Sequence, residues 1–219
     1  MPDRLRTRMM TLGLLCSAMV TPSFADDDLL VFVSAFGKGD AGAIHAFRVD
    51  SKRGEMKPVH RTTNVENPFF LALSPNRKFL YSIHTPDFSD KVNDEIAAFR
   101  LEGDTGRIKL INRQSAQGTT ACYLDVDASG RTLVVANYTS GSVASLPIGK
   151  DGSLGKAATF VQHKGKSVNP SRQEGPHAHC FVISPDNRFV LSADLGLDQV
   201  LSYRLDADDA ELTTPRQPF

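Results

Sequence analysis

Two histidines separated by one residue, His177 and His179, are the strongest chemical signal in the sequence. They open an apolar run that is typical of a strand, and the two-residue period of a strand directs both imidazoles to one face. An imidazole titrates near neutral pH, so it can accept or donate a proton during a reaction. The pair therefore predicts a general acid or base.

The same spacing leaves two alternatives open. Two imidazoles on one strand face can share a zinc ion, with Asp194 or His163 as a third ligand. A purely structural histidine pair is the other alternative. No metal is included in the favoured interpretation.

Elements that could position these histidines repeat along the chain. Three segments combine a tight turn with a following apolar run; they begin at Ser74, Asp127 and Ser184, so that their starts lie 53 and 57 residues apart. Further short strands follow each hairpin, and four short strands in about 50 residues are typical of a propeller blade. The predicted fold class is all-β: a β-propeller of four-stranded antiparallel blades.

Counting blades gives about three and a half to four. An incomplete blade begins at Leu29 and has no candidate for its innermost strand, two full blades cover about 67–115 and 119–163, and a fourth begins at residue 177. In closed propellers the missing inner strand often comes from the other terminus. Closed propellers have four to eight blades, so we expect residues 26–219 to be the N-terminal portion of a larger propeller.

Departures from the repeat indicate where function lies. His179 aligns with Cys122 and Phe69, which cannot play its role, whereas Asn137 and Asp194 align with His84 and all three are polar. These polar residues are expected to ring one mouth of the channel, with Asn137 and Asp194, together with His177, binding substrate. The connection at 164–175 is either a solvated loop or a lid and anion-binding rim over the site.

Composition excludes some classes of function. The chain has 25 Lys and Arg against 25 Asp and Glu, which leaves no basic excess for nucleic-acid binding. Its longest apolar run, Met9–Val20, is shorter than the roughly 20 residues of a membrane span. Cys122 and Cys180 each lie in a strand-like apolar run, so free thiols are expected rather than a disulfide.

The first residues have the pattern of a secretory signal peptide. Arg4, Arg6 and Arg8 precede the apolar run, and small residues Ser23 and Ala25 follow it at the positions before a cleavage site. Residues 1–25 are therefore predicted to be a signal peptide. The mature protein is expected to be periplasmic or secreted.

Four stretches carry a resemblance to a known family: 67–81, 137–143, 175–179 and 193–198. They resemble the lactonase family of seven-bladed β-propellers. That family includes bacterial propeller-type 6-phosphogluconolactonases and fungal 3-carboxy-cis,cis-muconate lactonizing enzymes.

The resemblance implies opening or closing of a lactone ring, with no cofactor and a small lactone or carboxylated cyclic substrate. His179 matches the family's catalytic histidine, and His177 matches a second histidine found in many members. The family's arginine, in a Gly-Pro-Arg-His context, and its glutamate match no position up to Phe219. We therefore expect a lactone hydrolase resembling 6-phosphogluconolactonase. Residues 1–219 are expected to carry only part of its active site and to be inactive by themselves.

Two other functions fit the same fold. A propeller can be a non-enzymatic exported protein that binds a protein or glycan through its rim, because fold does not determine function. Unpaired edge strands at the ends of a partial propeller would also favour self-association.

Overall fold

A computed structural model describes residues 28–37, 39–86 and 91–213. The described chain forms fifteen strands in four antiparallel sheets. The strands, β1 to β15 in chain order, are Asp28–Ala35, Ala43–Asp50, Met56–Thr62, Pro68–Leu73, Phe79–His84, Glu95–Leu101, Ile108–Ser115, Ala121–Val126, Thr132–Asn137, Ser142–Pro147, Thr159–Gln162, Ala178–Ile183, Phe189–Asp194, Gln199–Asp206 and Glu211–Thr213.

The four sheets are the predicted blades, so the all-β propeller interpretation is confirmed. Blades 2, 3 and 4 each contain four strands in chain order, and their first strands, β4, β8 and β12, lie side by side. Blade 1 contains β1, β2 and β3. Its last two strands, β2 and β3, are joined by a tight turn, as are β6 and β7, the last two strands of blade 2. The first described strand of blade 1, β1, lies against β4. Within the described residues, blade 1 therefore lacks an innermost strand, as predicted.

One side chain closes the turn between the first and second strands of each complete blade. The Ser74 and Ser184 hydroxyls accept hydrogen bonds from the backbone N–H groups of Phe79 and Phe189, both at 3.0 Å. The Asp127 carboxylate accepts the N–H of Thr132 at 2.7 Å in the same way. Short polar side chains favour such local bonds to the backbone, so this turn could be predicted from the sequence.

Apolar cores lie between neighbouring blades. Leu80 and Phe99 of blade 2 join Ile44 of blade 1 in one core. A larger core joins blades 2 and 3, and a third joins blades 3 and 4 around Phe181 and Tyr203. Full burial of a large apolar side chain stabilises a fold by about 1.5–3 kcal/mol. These cores hold the inner strands, and hence the candidate site, at fixed positions.

The predicted signal peptide lies outside the described residues. Among the residues that the structure does describe, no helix has the length and hydropathy needed to cross a membrane.

Candidate active site

The segment carrying His177 passes between two turns that approach it closely. Gly141 in the β9–β10 turn has φ +59°, and a Cβ there would lie 2.2 Å from the carbonyl oxygen of Pro176. A Cβ on Gly196, in the β13–β14 turn, would lie 1.8 Å from the carbonyl oxygen of Gly175. Only glycine permits such an approach of two backbones. Both turns therefore fix where His177 enters β12.

Asp194, at the end of β13, anchors the same segment. Its Oδ1 accepts the N–H of His177 at 2.8 Å and that of Leu197 at 3.0 Å. Its Oδ2 accepts a hydrogen bond from Nδ1 of His163 at 2.6 Å. Burial alone would raise the pKa of Asp194, but the hydrogen bonds from these three donors outweigh it and hold the pKa below its usual value. The carboxylate is only 2% exposed, so it positions the backbone.

His163 completes a buried chain of polar groups. Its Nδ1 bonds Asp194, and its Nε2 lies 2.7 Å from the Tyr203 hydroxyl. With Nδ1 protonated, Nε2 accepts a hydrogen bond from the Tyr203 hydroxyl. Both imidazole nitrogens are thus engaged within the fold and do not face the His177–His179 pair. Among the described residues, no group of three or more His, Cys, Asp or Glu side chains is arranged to hold a metal ion.

Tyr138, which follows β9, brings the two histidines of the predicted pair together. Its ring stacks on the His177 imidazole, with centroids 4.7 Å apart and planes 18° from parallel. The same ring meets His179 edge to face, at 5.6 Å and 86°. The Tyr138 carbonyl accepts a hydrogen bond from Nδ1 of His177 at 3.1 Å. The two imidazoles therefore share one aromatic neighbour.

His179 lies on a β-bulge of the innermost strand. The β12–β13 register pairs Ala178 with Asp194 and Cys180 with Ala193, which leaves His179 unpaired. The corresponding bulge in β8 falls at Cys122. A bulge redirects a side chain out of the regular alternation and is common beside active sites. His179 is exposed, so its imidazole is accessible to a small molecule.

The loop before His177 adds two charged groups beside the pair. Nη2 of Arg172 donates a hydrogen bond to the Tyr138 hydroxyl at 3.0 Å. Oε1 of Glu174 lies 3.5 Å from Nε2 of His177. A backbone N–H and the neighbouring His177 hold the pKa of Glu174 below its usual value. The 164–175 loop carries Lys164, Lys166 and Arg172 against Glu174, a net charge of +2.

Sequence reasoning found the loop but missed three residues of this cluster: Tyr138, Arg172 and Glu174. Tyr138 directly follows Asn137, which had been singled out, and only the pairing of blades 3 and 4 shows that its ring reaches His177. Arg172 and Glu174 lie five and three residues before His177. Their charge within a loop that leads into the histidine pair was the available signal.

Asn137 and Asp194 lie at equivalent strand ends, as the repeat predicts, but both side chains are buried. Asn137 is fully buried and donates hydrogen bonds to the Ala116 carbonyl at 3.0 Å and the Ser142 hydroxyl at 3.2 Å. The structure therefore differs from the expectation that the side chains of Asn137 and Asp194 face the channel mouth. Strand-end amides and carboxylates satisfy local backbone groups, so they support the site from beneath.

Cys122 and Cys180 are free thiols in the structure. The Cys122 thiol donates to the carbonyl oxygen of His179 at 3.4 Å, which ties β8 to the bulge of β12. Burial raises the pKa of the Cys122 thiol to about 12, with smaller contributions from Cys180 and Asp94. It is therefore a packing group rather than a nucleophile.

The repeated blades define a β-propeller, with His179 exposed on an innermost strand and His177 partly buried just before that strand. The family described as "Lactonase, 7-bladed beta-propeller" matches residues 30–218. The chain belongs to this family.

Relatives with known names extend the comparison. The chain is 30% identical to a 6-phosphogluconolactonase of Bacillus subtilis, over 80% of this chain and 48% of the relative. It is 31% identical to a 6-phosphogluconolactonase of Formosa agariphila, over 81% of this chain and 50% of the relative. The chain thus spans about half the length of these curated relatives.

Solved structures give the same result. A Bacteroides fragilis protein superposes with a TM-score of 0.77 at 34% identity, covering 88% of this chain and 54% of that one. The periplasmic gluconolactonase PpgL of Pseudomonas aeruginosa superposes with a TM-score of 0.74 at 28% identity, covering 86% and 55%.

Proposed function

We propose that the protein is a lactone hydrolase, and that His179 and His177 with Tyr138 form the part of its active site supplied by these residues. The observation that carries the proposal is the contact of both imidazoles with the single Tyr138 ring, at the start of the innermost strand β12. Similarity to two relatives named 6-phosphogluconolactonase supports the reaction type.

In the proposed reaction His179 acts first as a base. Its imidazole accepts a proton from water as the water oxygen forms a bond to the lactone carbonyl carbon. The tetrahedral intermediate then collapses, and the bond between that carbon and the ring oxygen breaks. The imidazolium of His179 returns the proton to the ring oxygen, so the product is a hydroxy acid.

His177 and Tyr138 position the reactants in this scheme. Nδ1 of His177 donates to the Tyr138 carbonyl, which leaves Nε2 facing Glu174. The stacked Tyr138 ring prevents the imidazole from rotating. Rigid placement of a reacting group can supply much of a rate enhancement. Asn137 and Asp194 act one layer below by fixing the strand ends.

The substrate carries a negative charge in our proposal. Arg172 is held at the site by Tyr138, and its loop has a net charge of +2. A guanidinium binds carboxylate or phosphate groups through paired N–H donors. The substrate class is therefore an anionic sugar lactone or a carboxylated cyclic lactone.

We also propose export of the mature protein after cleavage behind Ala25. The signal-peptide pattern supports it, as does the likeness to a periplasmic gluconolactonase. Amino-terminal sequencing of the protein recovered from the periplasm tests this, and an intact Met1 in the cytoplasm would refute it.

A substrate panel tests the proposed reaction on a full-length version that contains these residues. Hydrolysis of 6-phosphoglucono-1,5-lactone, uncharged glucono-1,5-lactone and a carboxylated muconolactone is followed by acid release in a pH-stat. We expect kcat/KM for the better anionic lactone to exceed that of the uncharged one by about tenfold or more, which is the effect of one charge-assisted contact. Absence of turnover above the buffer rate with all three would overturn the proposal in favour of a binding function.

A further inference from the structure

Three buried polar side chains join blades 3 and 4 next to the candidate active site: His163, Asp194 and Tyr203. None of them is more than 4% exposed. Nδ1 of His163 donates to Oδ2 of Asp194 at 2.6 Å, and the Tyr203 hydroxyl lies 2.7 Å from Nε2 of His163. The rings of His163 and Tyr203 are stacked, with planes 8° from parallel. These side chains are therefore closed to a substrate, and their contacts lie within the fold.

The neighbours of His163 determine which of its nitrogen atoms carries the hydrogen. Burial alone would raise the pKa of Asp194, but its hydrogen bonds outweigh burial, so the carboxylate is ionised at neutral pH and accepts only. Burial raises the pKa of the Tyr203 hydroxyl, and the charge of Asp194 adds to this shift, so the hydroxyl keeps its hydrogen. His163 therefore donates through Nδ1 and accepts at Nε2. A buried network with every polar atom bonded specifies a single arrangement.

The junction of blades 2 and 3 fills the same positions with apolar side chains. Ala116 takes the place of His163, because the backbone N–H of each bonds the residue that precedes the third strand of its blade. Leu146 takes the place of Tyr203, because each pairs with the second residue of the preceding strand. Ala116 and Leu146 belong to one apolar core. Replacing a buried charged network by well-packed apolar residues is often neutral or stabilising, so stability alone does not explain His163.

Two connections lead from His163 to the segment that carries His177. The first runs through Asp194, whose Oδ1 accepts the backbone N–H of His177 at 2.8 Å. The second runs through the backbone, because the N–H of His163 donates to the Gly141 carbonyl at 3.1 Å and Gly141 lies against the Pro176 carbonyl. His163 thus contacts both the group that holds the His177 backbone and the turn that packs just before it.

We propose that His163 is a positioning residue of the candidate active site, which holds the His177 imidazole against Tyr138 by fixing Asp194 through its Nδ1 hydrogen. This role rests on the proposed lactone hydrolysis. His163 touches no substrate and acts only through Asp194. A displacement of reacting groups by about 1 Å can lower a rate by about 100-fold, so loss of the bond to Asp194 lowers kcat more than it changes KM.

Two matched substitutions separate the two nitrogen atoms of His163 in a full-length version that contains these residues. The Asn amide nitrogen lies near the position of Nδ1, so His163→Asn keeps a donor to Asp194. The longer Gln reaches the position of Nε2, so His163→Gln keeps the contact with Tyr203 and loses the bond to Asp194. We expect His163→Gln to lower kcat for the best lactone by about tenfold or more with KM within about twofold, and His163→Asn to keep kcat within about threefold of wild type. Wild-type kcat in His163→Gln, or equal losses in both variants, would overturn the proposal.

NMR on the same proteins gives a readout that does not depend on turnover. Nuclear Overhauser effects between the stacked rings of Tyr138 and His177 should persist in His163→Asn and disappear in His163→Gln; their persistence in a folded His163→Gln would refute the proposal. If the variants do not fold, as judged by circular dichroism, the wild type decides. Its His163 ¹⁵N shifts should show the hydrogen on Nδ1, and a hydrogen on Nε2 alone would overturn the proposal. A wild type without lactone turnover but with these ring contacts would refute the proposed function and support the positioning of His177.

Discussion

Acidification is expected to destabilise the protein through His84. This histidine is neutral in the folded state at neutral pH because its ring is buried, which outweighs the opposite effect of the hydrogen bond from Nδ1 to the Glu66 carbonyl. Its pKa falls from 6.5 to about 4 on folding. The unfolded chain therefore binds a proton between these two values that the folded protein does not. The stability from His84 is complete above about pH 6.5 and is lost as the pH falls towards 4.

The size of this loss follows from the two pKa values. Linkage of the proton to unfolding predicts a decrease of about 2 kcal/mol by pH 5 and about 3 kcal/mol by pH 4. His84→Asn removes the titrating group and keeps a side chain that can donate to Glu66. The free energy of unfolding of this variant should therefore decrease less than that of the wild type, by about 2 kcal/mol at pH 5 and about 3 kcal/mol at pH 4.

Urea denaturation followed by far-UV circular dichroism measures the effect, since the chain has no Trp. The free energy of unfolding is measured at about pH 7.5, 6, 5 and 4 for both proteins. His60→Asn is the matched control, because His60 is only partly buried. Parallel pH curves for the wild type and His84→Asn would refute the assignment of a buried neutral histidine.

Three further predictions concern the candidate active site. Tyr138→Phe keeps the stacked ring but removes the hydrogen bond from Arg172. KM for an anionic lactone should therefore rise about threefold to tenfold with kcat nearly unchanged, and a fall in kcat alone would contradict this. At pH 8, the Cys122 thiol should react with iodoacetamide at least about 100-fold more slowly in the folded protein than in urea. Mass spectrometry measures both rates, and equal rates would contradict the raised pKa of this thiol. Gly196→Ala should destabilise the protein by about 1–3 kcal/mol and lower kcat, because the added Cβ would collide with the Gly175 carbonyl oxygen. An unchanged thermal unfolding temperature would contradict this and show that the turn can move.

The fold was predictable because its signals are local and repeated. The turns at Ser74, Asp127 and Ser184 contain their own hydrogen-bond acceptors, and each precedes a strand of the expected length. The outer strands Ile108–Ser115 and Thr159–Gln162 are among the further short strands expected after each hairpin. Such features depend on neighbours in sequence, which a single chain displays directly.

The site was predictable only in part because its contacts join different blades. His177 and His179 were visible from their spacing, but Tyr138 meets them only through the packing of blade 3 on blade 4. Polarity at Asn137 and Asp194 suggested a channel mouth, whereas the structure turns both side chains inward to backbone groups. Exposure depends on the tertiary packing, so polarity alone did not separate supporting residues from accessible ones.

The most direct test of the account is the rate of lactone hydrolysis by His179→Gln in a full-length version that contains these residues. Gln keeps a polar side chain at the bulge but cannot exchange a proton near neutral pH. The account predicts that kcat/KM for the best lactone falls by about 100-fold or more, the usual size of a general acid–base contribution, while His45→Gln in blade 1 stays within about twofold of wild type. A His179→Gln enzyme that retains wild-type kcat/KM would contradict the central claim.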